Sequence, residues 1–156
     1  MSISVDVTVD GGRIPLSRAR AARIASTVLR AEHVRDADVS ITFVSNRSIA
    51  TLNKRHLGHA GPTDVISFEL GSDAPGTPTL GDIYIAPDVA RAHARELGIP
   101  VAEELARLVV HGTLHVLGYT HPEGSRGDRL ASPMWKRQER LLRRALAAAG
   151  HGESRV

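Results

Sequence analysis

Pro100-Val101-Ala102-Glu103-Glu104-Leu105-Ala106-Arg107-Leu108-Val109-Val110-His111-Gly112-Thr113-Leu114-His115-Val116-Leu117-Gly118-Tyr119-Thr120-His121 decides how the chain is read. Proline is tolerated at a helix start, where its missing amide would have had no intrahelical partner. A helix from there runs to about Leu117, and Gly118 is a natural left-handed cap. His111 and His115 are four apart, so their rings lie on one face a turn apart, close enough to share one ion. Gly118 lets the chain turn back, so that His121 can return as a third ligand. Three imidazoles with no fourth protein ligand is the pattern of an open, catalytic zinc site; a structural site closes with a fourth residue. Two partly exposed histidines near a helix end plus one in a loop is the bland alternative, and it leaves the agreement of helix, cap and return loop unexplained.

Upstream, Leu80 to Ala86 reads as a strand, followed by a helix that Pro87-Asp88 opens and Gly98 closes. Asp64 to Leu70 is another strand, separated from it by the turn-rich Gly71 to Thr79. Val39, Ile41 and Phe43 alternate with polar residues, and Ser45-Asn46 can cap a short helix carrying Ile49 and Leu52. At the amino end Ile3, Val5, Val7 and Val9 have strand period. Ala21, Ile24, Ala25, Val28 and Leu29 then form the stripe of a first helix. Downstream, Tyr119 to Ala131 reads as a loop, and Ser132-Pro133 starts a last helix that buries Met134, Leu141, Leu142 and Ala145 and ends at Gly150. The expected fold is α+β (or α/β): a single domain over 1–149, with a four-stranded mixed sheet, helices and a zincin-like three-histidine metal site on a helix and its return loop. Residues 150–156 are expected to fray. Strand order is not legible.

Composition limits the function classes. A length of 156 residues suits one domain, and 42% hydrophobic with 24% charged residues excludes disorder and fibrous repeats. Without cysteine there is no disulfide and no thiolate ligand, which suits a reducing cytoplasm. The amino end lacks a signal-peptide pattern, and no apolar run is long enough to span a membrane. Lys54 and Lys136 are the only lysines among 20 basic residues, so 18 are arginine, whose planar fork suits phosphate; GC-rich coding explains the bias equally well.

The histidine spacing is also that of metzincin proteases, but Gly112 stands where those enzymes carry the glutamate base. Peptidase chemistry by that route is disfavoured. Met134 falls on a helical stripe and reads as core, not as a methionine turn. Phe43, Phe68, Tyr84, Tyr119 and Trp135 are too few and too strand-bound for a base-stacking platform. Arg137, Arg140, Arg143 and Arg144 read as a solvated helix face ahead of an RNA track. Ser67 reads as a small strand residue, and His56 and His59 as loop residues.

Glu103 to His121, together with Pro62-Thr63-Asp64-Val65-Ile66-Ser67-Phe68, Leu80-Gly81-Asp82-Ile83-Tyr84-Ile85 and Leu52-Asn53, resembles the YbeY endoribonuclease family over about Val39 to Leu142. The resemblance implies a single-strand-specific, metal-dependent endoribonuclease in ribosomal RNA maturation, at the 3′ end of the small-subunit RNA, and in ribosome quality control. It implies one zinc per chain on His111, His115 and His121, with single-stranded RNA, ribosomal RNA or the ribosome as partner and no membrane. It also raises Asp82 as a cleft residue, and Arg55 as a stand-in for a basic residue absent from His56-Leu57-Gly58. Asp64 is either an orienter of ligand or substrate or a turn cap. Thr120 replaces an aspartate usually found before the third histidine, and the loop from His121 to Met134 is longer than usual. A zinc metalloprotease and a non-catalytic ribosome-binding zinc module are the competing readings; the proton-transfer group and oligomeric state stay open.

Overall fold

The computed structural model describes residues 2–71, 74–120 and 126–153. Strand β1 (Ile3–Val9) leads through α1 (Arg18–Ala31) to β2 (Ala37–Phe43). Helix α2 (Asn46–Leu52) runs on into a wider helical turn, Asn53–Leu57. Then follow β3 (Val65–Glu69), β4 (Thr79–Ile85), α3 (Pro87–Leu97), α4 (Val101–Val116), the single turn α5 (Arg126–Leu130) and α6 (Pro133–Glu153). The sheet order is β1-β2-β4-β3, parallel except for β3, which runs antiparallel to β4 at the edge. No helix among the described residues is long and apolar enough to cross a membrane.

Register explains the layering. Val5, Val39 and Gly81 stand side by side, as do Val7, Ile41 and Ile83, and Val9, Phe43 and Ile85. Period two sends all of them to one face. That face is covered by α1, whose buried residues are Ala21, Ile24, Ala25, Val28 and Leu29, the predicted stripe. It is also covered by α4, ten of whose residues are buried. Each fully buried Ile, Leu or Val contributes roughly 1.5–3 kcal/mol, so this apolar layer fixes where α4 lies. On the other face Ser4, Asp6, Thr8 and Asp38 are exposed, and α2 covers only the β3–β4 end, where Ile49 and Leu52 meet Ile66, Phe68 and Tyr84.

Two close approaches seat α4. A Cβ on Gly81 would stand 2.5 Å from Val116 Cγ1, and one on Gly112 would stand 2.7 Å from Ile83 Cγ2. Such distances leave no room for a side chain, so Val116 of the helix packs directly on the Gly81 backbone, and Ile83 of the sheet on the Gly112 backbone.

Three expectations are corrected. The segment Tyr119 to Ala131 is not wholly loop: α5 forms one turn, closed by Ala131 N–H to the Gly127 carbonyl at 3.1 Å. His56, expected in a loop, is helical, because a wider turn over Asn53–Leu57 continues α2, and Gly58 in the left-handed region (φ 71°) ends that turn. Helix α6 passes Gly150, because a glycine inside a helix costs only about 1 kcal/mol relative to alanine and is not a stop by itself.

Candidate metal centre and its cleft

The C-terminal end of α4 builds the site. Gly118 takes φ 95°. Tyr119 N–H then reaches the Leu114 carbonyl and Gly118 N–H the His115 carbonyl, both at 3.0 Å, a Schellman closure. This turn lays the Tyr119 carbonyl against His115, whose Nδ1–H donates to it at 2.8 Å. On the other side His111 Nδ1–H donates to Gln138 Oε1 at 2.6 Å. With each Nδ1 committed as donor, the neutral rings carry their lone pairs on Nε2. Those two Nε2 atoms face each other at 2.9 Å.

Two lone pairs at that distance repel unless a cation lies between them. A tetrahedral ion with bonds of about 2.0–2.1 Å holds its nitrogens about 3.3 Å apart, so the pair needs to open by only a few tenths of an ångström. The donor set therefore fits a divalent metal. His121, the expected third ligand, lies outside the described residues. Among those described, no group of three His, Asp or Glu side chains is gathered as a metal cage.

Tyr119 also ties this turn to α1. Its hydroxyl donates to Glu32 Oε1 at 2.7 Å, and Arg137 Nε donates to the same oxygen at 3.1 Å. Burial pushes the Glu32 carboxyl up, but the bonds from Tyr119 and Arg137 outweigh it and hold the carboxyl below its ordinary range. The bond to Glu32, ahead of burial, pushes the Tyr119 hydroxyl up.

The histidines open onto a cleft of about 1240 Å³. On its wall His93 Nδ1 stands 3.7 Å from Asp64 Oδ2 and 3.8 Å from Glu104 Oε2. Glu104 is almost fully buried, and burial pushes its carboxyl up despite the pull of Arg107 and His93. Arg107 bonds to Glu104, Glu103 and Glu139 at once. Trp135, Thr120 and the half-exposed Leu57 complete parts of the rim.

Of the residues singled out from sequence, Asp64 lines the cleft beside His111 and His115. Asp82 lies on the opposite face of the sheet, with Ser40 Oγ donating to it at 2.7 Å, because it alternates with Ile83. Arg55 is exposed on the turn after α2, and it does not line the cleft. Ser67 donates to the Gly112 carbonyl at 3.1 Å, which makes it a docking residue for α4. Met134 is core. Phe68 stands edge-on to both His56 and Tyr84, so these rings are packed together beneath α2. Among the described residues that line the cleft, the carboxylates Asp64, Glu69, Glu96 and Glu104 outnumber the arginines Arg107 and Arg129.

Sequence reasoning missed Glu104, His93 and Gln138. Glu104 was within reach, since it precedes His111 by two helical turns on one face. His93 and Gln138 come from α3 and α6, and no spacing in one chain announces such a meeting.

A mixed sheet carrying a histidine pair at the end of its central helix, open to a polar cleft, is the architecture of a candidate hydrolase. The sequence model of the family described as endoribonuclease YbeY matches residues 10–145. The endoribonuclease YbeY of Bacillus licheniformis is 39% identical over 155 residues, covering 92% of this chain and 96% of that one. That of Thermobifida fusca is 37% identical over 129 residues, covering 78% and 83%. A solution structure of a Thermotoga maritima protein matches with a TM-score of 0.63 at 25% identity, covering 97% of this chain and 95% of that one. The chain belongs to the endoribonuclease YbeY family, and with that membership it is a hydrolase acting as an endoribonuclease.

Proposed function

We propose that this chain cleaves single-stranded RNA in ribosomal RNA maturation, at the 3′ end of the small-subunit RNA, and in ribosome quality control, as a cytoplasmic enzyme. One zinc per chain sits on His111, His115 and His121, and residues 1–149 form the catalytic domain. The observation that carries this reading is the pair of Nε2 atoms turned toward each other while both Nδ1 atoms donate elsewhere. A bound zinc supplies a Lewis acid for a phosphoryl oxygen and activates water. Tyr119 and Gln138 orient the two rings, and Asp64 and His93 are the candidates for moving a proton in the cleft.

A peptidase is disfavoured by packing. The Gly112 Cβ position is taken by Ile83 and by Ser67 Oγ, so a zincin glutamate has no place there. RNA cleavage and caseinolysis measured on one metal-replete preparation, with His111→Ala alongside, test the reading. RNA turnover that the variant loses is expected. Equal RNA cleavage by both proteins, or caseinolysis stopped by a chelator, overturns it.

A further inference from the structure

Gln138 is the most deeply buried polar side chain against the histidines, 1% exposed. Its amide has two possible orientations. With Oε1 toward His111 it accepts the Nδ1 proton and leaves the Nε2 lone pair open. Turned over, it would donate to Nδ1, and His111 would carry its proton on Nε2. From there the proton would satisfy His115 Nε2, 2.9 Å away, in a neutral hydrogen bond. That second arrangement closes the site with a proton.

Glu139 decides between them. Its Oε2 accepts from Gln138 Nε2 at 3.1 Å, and an ionised carboxylate can only accept. The carboxylate is held in turn by Arg107, whose Nε lies 3.0 Å from Oε2 and whose Nη2 lies 3.2 Å from Oε1. Arg107 is itself braced by Glu104 at 2.8 Å and Glu103 at 3.5 Å. His115 needs no such device, because its partner is the Tyr119 carbonyl, which can only accept.

We infer that Arg107, Glu139 and Gln138 form a lock on the tautomer of His111, which keeps its Nε2 open toward a cation. The three are positioning residues, acting through His111. The inference rests on the metal reading above, but it has a readout of its own.

Long-range ¹H–¹⁵N spectra of the metal-free protein at mildly alkaline pH report which ring nitrogen of His111 holds the proton. The expected result is Nδ1 in the native chain and a shift toward Nε2 in Gln138→Met. Competition for zinc against a chelator should show affinity lower by about 10–100-fold in that variant. Glu139→Gln should move both readouts the same way. If Gln138→Met does not fold, the half-buried Glu139→Gln carries the test alone. An Nε2-protonated His111 in the native metal-free chain overturns the lock, as do unchanged tautomer and affinity in both variants. A native chain that takes up no zinc removes the metal reading, and the spectra then decide the lock by themselves.

Discussion

His111 and His115 present their Nε2 atoms to each other at 2.9 Å, with ring centroids 4.5 Å apart and planes at 78°. Neither ring is free to swing, because Gln138 and the Tyr119 carbonyl hold the far nitrogens. His115→Ala should therefore abolish stoichiometric zinc while the fold survives, since the residue sits half-buried at the end of the helix. Metal analysis and circular dichroism on the same sample check this. Zinc that persists in the variant would remove His115 from the site.

Gly112 is fixed by the sheet beneath it. In Gly112→Ala the new methyl meets Ile83 Cγ2 at 2.7 Å and Ser67 Oγ at 3.1 Å. Overpacking of this kind costs about 1–3 kcal/mol, against about 1 kcal/mol gained in helix propensity. A net loss on the order of 1 kcal/mol follows, which in a domain of this size lowers Tm by about 2–4 °C. Gly112→Glu should yield no folded protein, because the carboxylate would be driven under the sheet. A Gly112→Glu chain that melts like the native one would show that the helix does not rest on β4 as described.

Legibility in the sequence followed the reach of each physical cause. The α1 stripe and the Gly98 and Gly118 caps were readable because a few neighbouring residues determine them. The histidine pair was readable for the same reason, since i and i+4 meet on any helix. What Gly112 means was only half readable: its identity excluded a base, but the cause, Ile83 and Ser67 pressing on it, comes from two strands. Arg55 and Asp82 were raised by resemblance and stand away from the cleft for reasons of register and turn geometry. Gln138 entered from a helix whose docking angle no local pattern encodes.

Glu32 gives the acid response of the Tyr119 anchor. A carboxyl whose folded-state value is depressed contributes stability that is fully present above its ordinary range and is lost as pH falls through the depressed value. Tyr119→Phe removes one of the two donors responsible. The variant should be less stable by about 1 kcal/mol near neutrality, and the difference should shrink as Glu32 is protonated below the ordinary carboxylate range. Denaturant midpoints at neutral and acid pH measure it. A difference that grows on acidification would mean that Glu32 is not the group engaged.

RNA affinity should fall steeply with salt, and the arginines responsible lie outside the cleft. Within the cleft, carboxylates outnumber arginines, and Arg107 is already shared among three glutamates. Arg140, Arg143 and Arg144 are exposed on α6, whereas the neighbouring Arg137 is held by Glu32. Each phosphate neutralised on a single strand contributes about −0.7 to the slope of log K against log salt. Replacing Arg140, Arg143 and Arg144 together by glutamine should then flatten the slope by up to about 2 units, if all three meet phosphate. Zinc content should be unaffected, because none of the three touches the histidines or Gln138. Binding isotherms to a short unstructured RNA at several salt concentrations decide the matter. An unchanged slope in the triple variant would return these arginines to a solvated face and move the phosphate contacts elsewhere on the chain.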